Sequence, residues 1–241
     1  MMPDRPKAEF YDLTLQEITD FGNETRHFDL AYQKLPEMTF APGQFVAVLC
    51  PQGEKMIRRA YSIASAPQET GKISLVLKRV ENGVVTNWFW GLKESDPVRV
   101  HGPFGKFILP DTIDFDPIFV ATGTGVAPFR SMIRHLLATG FKRQIQLIFG
   151  IRYDDKIPYH AEWLELAQKY PNFSYTPTIS RPTSNWTGKT GYVQTKLEEE
   201  VSDPVCHRVY ICGLNLMIQS VQEACQKLGF KPEQVEFEKY D

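Results

Sequence analysis

At 241 residues, 42% hydrophobic and 23% charged, the chain is long enough for two domains and apolar enough to give each a core, which excludes collagen-like, coiled-coil and disordered classes. Its 27 basic and 29 acidic side chains leave a formal charge of −2, without the Lys/Arg excess by which a general nucleic-acid binder neutralises phosphates. The start, MMPDRPKAEF, has no apolar secretory core, and no uncharged apolar run of about 18 residues is present, so a cytoplasmic protein without a membrane span is expected.

From the N-terminus, short runs alternate apolar and polar residues: YDLTLQEI, RHFDLAY, GQFVAVL, RRAYSIAS, KISLVLKRV and PVRVHG. Turn residues separate them at hairpin spacing, which predicts an antiparallel barrel or sandwich. One segment breaks the pattern. From Val84 to Leu92 the spacing of Trp88, Phe89 and Leu92 puts them on one face of a single helix. After Phe107, LPDTIDFDP is an acidic, proline-bounded connector, and the texture changes to strands alternating with helices. PIFVATG leads into FRSMIRHLLATG, QIQLIFGIR into AEWLELAQKY, FSYTPTIS into TKLEEEV, and RVYICG into LMIQSVQEACQKLG. Such alternation implies a parallel sheet with right-handed crossovers. The expected organisation is an N-terminal antiparallel β-barrel over 1–112 and a C-terminal α/β domain over 113–241.

Chemistry-bearing residues fall in three places. Gly123-Thr124-Gly125-Val126-Ala127-Pro128 follows a strand and opens a helix, where close backbone approach and free N–H groups suit a pyrophosphate. A tight turn alone would also explain those glycines. No acid stands at the end of the next strand to hold a ribose 2′-hydroxyl; Gly150-Ile151-Arg152 occurs there instead. Arg152, Ser180-Arg181 and Lys189 recur after successive strands, where they can converge on one anion such as a 2′-phosphate, or can be solvated surface charge. In the first domain, Arg59 and Tyr61 share one face of a strand, pairing a cation for phosphate with a ring for stacking. Gly83-Val84-Val85-Thr86-Asn87 opens the lone helix, either as a second anion-binding terminus or as an ordinary capped start. Cys50, Cys206, Cys212 and Cys225 form no CxxC pair or cluster, so no metal site, iron–sulfur cluster or disulfide is expected, and Cys212 by itself reads as a buried core thiol.

In order, RAYSIAS, LVLKR, GVVTNW, GPFGKF, GTGVAPFRS, SR, WTGKTGYV, CGLNLM and a C-terminal EKY resemble the ferredoxin–NADP(+) reductase family, from about Phe10 to the C-terminus. The resemblance implies a flavin-binding barrel. There Arg59 holds the FAD pyrophosphate, Tyr61 stacks on the isoalloxazine and Ser62 lies near flavin N5, with Ala60 inside the same motif. It further implies FAD contacts at Val76, Leu77 and Lys78, a pyrophosphate site at Val84, Val85 and Thr86, a threonine near the flavin at Thr124, and a nicotinamide-nucleotide turn at Gly125. Cys212 and Gly213 match the segment lining the nicotinamide pocket. At the C-terminus, Tyr240 matches the aromatic residue covering the flavin, with Glu238 as an acid near the hydride path. Asp241 follows, and Phe237 is the alternative ring. Arg152, Ser180, Arg181 and Lys189 resemble the 2′-phosphate positions of NADPH-using relatives.

The implied activity is hydride transfer between NADPH and FAD, with single electrons passing between FAD and a separate carrier such as ferredoxin or flavodoxin. NADH is the second nucleotide option. No CxxxxCxxC spacing marks a fused plant-type ferredoxin. The competing readings are an NADH-dependent reductase component of an oxygenase system, a flavin reductase, or an FAD-holding subunit without turnover. The oligomeric state is left open, with a monomer expected.

Overall fold

The computed structural model describes residues 7–22, 24–155 and 157–240. The chain packs into two compact units. One runs to Leu109 and takes in Arg130–Ala138; the other comprises Pro110–Phe129 and the chain from Thr139 onward.

The first unit contains β1 (Glu9–Phe21), β2 (Thr25–Tyr32), β3 (Phe45–Gln52), β4 (Lys55–Ser62), β5 (Lys72–Lys78), α1 (Val84–Gly91) and β6 (Pro97–Phe104). The strands form one antiparallel sheet in the order β4-β3-β6-β1-β2-β5. An isolated antiparallel bridge, Ile63 to Leu75, brings the two ends of that order together, and Ala64 N–H donates to Ser74 C=O at 2.8 Å beside it. This closure decides between the two expected β architectures, because a sheet joined edge to edge is a barrel. Its core follows the period of two that the sequence shows: Leu13 and Leu15, Phe28 and Leu30, Val46 and Val48, Ile73 and Leu75, Val98 and Val100 are all buried. Each such side chain contributes about 1.5–3 kcal/mol on leaving water. Helix α1 plugs the barrel with the expected face. Phe89 is fully buried, 4.9 Å from the Phe28 ring, and Trp88 and Leu92 pack beside it.

A polar network is built into the same unit. The Asp29 carboxylate accepts from His27 Nε2 (2.9 Å), Ser74 Oγ and Lys72 Nζ, across the β2–β5 pairing that sets Asp29 opposite Ser74. Within this unit, Arg130 Nη1 donates to Ala64 C=O (2.9 Å) and Arg134 pairs with Glu69 (2.8 Å), which ties the C-terminal part of the next helix to the loop after β4.

The second unit carries β7 (Asp116–Thr122), a 3-10 turn (Gly123–Gly125), α2 (Val126–Ala138, shared with the first unit), β8 (Ile145–Ile151), α3 (His160–Lys169), β9 (Phe173–Ile179), β10 (Lys189–Thr190), α4 (Val193–Glu200), β11 (His207–Gly213), α5 (Asn215–Lys227) and β12 (Val235–Lys239). Every pairing is parallel, in the order β10-β9-β8-β7-β11-β12. Strands β7, β8 and β11 are near-continuous apolar runs, as parallel strands covered on both faces require. Two strands lie outside the expected set. β10 has only two residues, and β12 occupies the EFEK segment before the terminal tyrosine, where few residues are available to show a period. No helix of the described residues is long and apolar enough to cross a membrane.

Candidate cofactor-binding sites

In the first unit, β4 carries Arg59 and Tyr61 on one face, opposite Val48 and Val46 of β3. Arg59 is exposed and its Nη1 donates to Arg58 C=O at 2.8 Å. Tyr61 is half-buried, edge-on to Phe89 at 6.0 Å. Burial pushes its phenol up to about 12 despite the opposing charge of Arg59, so the ring stays neutral across the working range. Ala60 is exposed and Ser62 buried at the strand's end.

Val76 and Leu77 put their side chains into the core, while Lys78 is exposed and paired with Glu24 at 3.3 Å. What β5 offers is its outer edge. Ser74 turns its peptide groups off that edge, donating to Ser65 Oγ and accepting from Ala64. By the alternation of an antiparallel ladder, the peptide groups of Val76 and Lys78 point the same way. Beyond them, the first intrahelical bond of α1 runs from Asn87 N–H to Gly83 C=O, so the amides of Val84, Val85 and Thr86 precede it and are the orphan donors of the helix start. The Thr86 hydroxyl is engaged locally, with Val80 and Gly83. Beside this terminus is a cleft of about 590 Å³ lined by Glu24, Arg79, Glu81, Asn82 and Asn87, in which Arg79 Nε donates to Asn87 Oδ1 at 2.9 Å. Arg79 and Asn87 are additions to the expected set. Both stand inside the LVLKR and GVVTNW motifs, but nothing in one sequence says that they meet.

In the second unit, Gly123 adopts φ +56° and turns the chain from β7 into α2, a conformation that favours glycine. Gly125 is buried against β11, where a Cβ would lie 2.7 Å from the Cys212 carbonyl carbon. Thr124 between them is half-buried. Thr122 Oγ1, at the end of β7, is buried and has no hydrogen-bond partner among the described residues. It lies so near Gly213 that a Cβ on the glycine would overlap it. Cys212 is fully buried, opposite Ala121 of β7 and Glu238 of β12. Burial, then the Glu238 charge, keeps its thiol protonated, which leaves it a neutral apolar wall. Tyr240 N–H donates to Gly213 C=O at 3.1 Å, continuing the β11–β12 ladder to the terminal aromatic; Phe237, opposite Ile211, is exposed. Asp241 lies outside the described residues.

Arg152 and Arg181 are both exposed and are drawn together by a backbone bond, Arg181 N–H to Arg152 C=O at 2.8 Å, one residue after Ser180 N–H bonds Ile151 C=O at 3.0 Å. Lys189 differs from them. Its Nζ is paired with Glu200, which also accepts from Thr176 Oγ1 and Gln146 Nε2, so this lysine is already partnered inside its own unit.

Residues 12–108 match the oxidoreductase FAD-binding domain and residues 119–223 the oxidoreductase NAD-binding domain. The chain is 36% identical over 243 aligned residues to ferredoxin–NADP reductase B of Sorangium cellulosum, covering 98% of this chain and 99% of that protein. It belongs to the ferredoxin–NADP reductase family. The phenol hydroxylase P5 protein of Acinetobacter pittii is 34% identical over 87% of this chain, which spans 60% of that protein. In fold, this ferredoxin–NADP reductase family member is similar to the Neisseria gonorrhoeae ferredoxin NADP+ reductase crystallised with FAD and NADP, with a TM-score of 0.84 over 97% of this chain and 99% of that one, at 19% identity.

The residues present fit the two cofactors of such an oxidoreductase. An FAD needs a ring surface, a cation and clustered amides for its pyrophosphate, and a polar edge for its adenosine half; within one unit, Tyr61, Arg59, the Val84–Thr86 amides and the β5 edge are the groups that would supply these. A nicotinamide dinucleotide needs a turn without side chains before a helix, and Gly123–Gly125 supplies it in the other.

Proposed function

We propose that this flavoprotein is a ferredoxin–NADP(+) reductase, moving hydride between NADPH and FAD and single electrons between FAD and a separate carrier such as ferredoxin or flavodoxin. The observation that carries the choice of nucleotide is the main-chain rung from Arg181 N–H to Arg152 C=O after β8 and β9, which brings the chain segments of two exposed arginines together where a parallel sheet binds the adenosine end of a dinucleotide. Family membership over almost the whole length of a ferredoxin–NADP reductase supports the reaction class.

Bound FAD supplies the interconversion of two-electron and one-electron chemistry. The chain's share is placement. Arg59 and the amides of Val84, Val85 and Thr86 hold the pyrophosphate; Tyr61, kept neutral by burial, stacks on the flavin; Ser62 orients the ring near N5. Val76, Leu77 and Lys78 hold the adenosine half, through main-chain groups at Val76 and Lys78. Thr124 is the threonine near the flavin and Gly125 belongs to the nicotinamide-nucleotide turn, with Cys212 and Gly213 as the wall of its pocket, Tyr240 as the stacking ring and Glu238 as the neighbouring acid. Arg152, Ser180 and Arg181 receive the 2′-phosphate, and Lys189 adds positive charge from its Glu200 pair.

A second reading, an NADH-dependent reductase component of an oxygenase system, is favoured by the 34% identity to a phenol hydroxylase component. Anaerobic stopped-flow reduction by NADPH and by NADH, read as flavin bleaching, separates the two. A strong NADPH preference supports the reductase; equal rates favour the oxygenase component, and absence of bound flavin with no bleaching refutes both.

A further inference from the structure

The ladder between β8 and β9 does not stop where the strands do. After the Ser180–Ile151 and Arg181–Arg152 backbone rungs, Thr183 N–H donates to Asp154 Oδ1 at 2.8 Å and Thr183 Oγ1 donates to Asp154 Oδ2 at 2.7 Å. Thr183 also holds the turn that follows it: its Oγ1 accepts from Asn185 N–H at 3.4 Å and its C=O from Trp186 N–H at 3.3 Å. A hydroxyl has one proton and two lone pairs, so both side-chain bonds are compatible.

Asp154 is the first acid after β8. In a parallel nucleotide-binding sheet the acid that accepts a ribose 2′-hydroxyl stands at the end of this strand, where Arg152 stands here; Asp154 follows in the loop, where a free carboxylate would repel a 2′-phosphate. Here both carboxylate oxygens are bound by one threonine. Those bonds, the side-chain one first, also lower the acid's pKa, so it is an ionised group held by two donors. We infer that Thr183 is the positioning residue for nucleotide choice: it occupies one acceptor site on each oxygen of Asp154 that a ribose hydroxyl would otherwise take, and it fixes the segment whose main-chain rung to Arg152 carries Arg181 for a 2′-phosphate. The inference rests on the reading of Arg152 and Arg181 as 2′-phosphate ligands.

The test uses the purified holoprotein and two probes measured by calorimetry, adenosine 2′,5′-bisphosphate and ADP, alongside the ratio of kcat/KM for NADPH and NADH. Thr183→Val keeps the side-chain shape and removes the hydroxyl. It is expected to weaken bisphosphate binding about tenfold, the loss of one charge-assisted bond, and to leave ADP binding equal or tighter because Asp154 is released. Thr183→Ser, which keeps the hydroxyl, restores the wild-type ratio. Melting temperature and FAD content, equal in all variants, exclude a general loss of structure. Should Thr183→Val leave the ratio of the two affinities unchanged while Arg181→Ala lowers it, the role given to Thr183 is wrong and the 2′-phosphate site stands. Should Arg181→Ala also leave it unchanged, the site itself is wrong and the role of Thr183 falls with it.

Discussion

Gly125 lies against Cys212 so closely that a Cβ on the glycine would come within 2.7 Å of the cysteine's carbonyl carbon and 3.0 Å of the next amide nitrogen. Neither neighbour is a side-chain tip that can swing aside; both are backbone of strand β11, paired on both sides by β7 and β12. The turn that opens α2 therefore reaches the sheet only because position 125 has no side chain. Gly125→Ala is expected to cost about 3 kcal/mol through forced backbone displacement, and to weaken nicotinamide-nucleotide binding more than FAD retention. Thermal melts and titration of the purified variant with NADP+ check this; an unchanged melting temperature and affinity would contradict the packing argument.

Arginine and lysine near the proposed 2′-phosphate should not behave alike. Arg181 has no carboxylate partner among the described residues, whereas Lys189 is already paired with Glu200. Arg181→Ala is expected to raise the KM for NADPH at least tenfold over its effect on NADH, the loss of a charge-assisted contact of about 1.5–3 kcal/mol. Lys189→Ala should change the NADPH/NADH ratio much less. Steady-state kinetics with ferricyanide as acceptor decide the matter, and equal effects of the two substitutions would sink the distinction.

The four cysteines differ sharply in reactivity on the structure. Cys206 is exposed, while Cys50, Cys212 and Cys225 are buried. Burial raises all three of the latter thiols, Cys225 to about 12, so none presents a thiolate at neutral pH. Brief iodoacetamide treatment of the native protein, followed by peptide mass spectrometry, should label Cys206 first. Early modification of Cys212 would mean that its surroundings open in solution.

The buried Asp29 network gives an acid-stability prediction with a definite sign. Burial pushes the Asp29 carboxyl up, but the bonds from His27, Lys72 and Ser74 together outweigh burial and hold it well below the usual carboxylate range. A group whose folded pKa is depressed contributes stability in full above its unfolded value, about 3.9, and loses it as pH falls through the folded value. Asp29→Asn should therefore lower stability by about 2–3 kcal/mol at pH 7, with a difference that shrinks below pH 4. Denaturant melts of both proteins at pH 7 and pH 3 test it. Parallel losses at the two pH values would place the effect in packing instead of charge.

The two fold classes were legible in the sequence because each leaves its own period. Leu13–Leu15, Phe28–Leu30 and Val98–Val100 repeat at two, while α2 and α5 repeat at the helical spacing between apolar runs. Motif order then carried the family, since RAYS, GTGVAP and CGLNLM appear at positions that one reading explains together. Strands β10 and β12 left no such trace. A two-residue strand has no period, and VEFEK exists as a strand only because β11 offers a parallel edge to it.

For the sites, sequence alone determined which residue types stand after which strand, since strand order and polarity are written in local patterns. Which of those residues were already committed to one another was decided by the fold. Lys189 reads the same as Arg181 along the chain, yet α4 brings Glu200 to one and the β8 ladder brings Arg152 to the other. Asp154 and Thr183 lie 29 positions apart and meet because β8 and β9 run parallel in adjacent register. Pairing of this kind depends on distances between chain segments that no local pattern encodes, so only the tertiary structure could assign it.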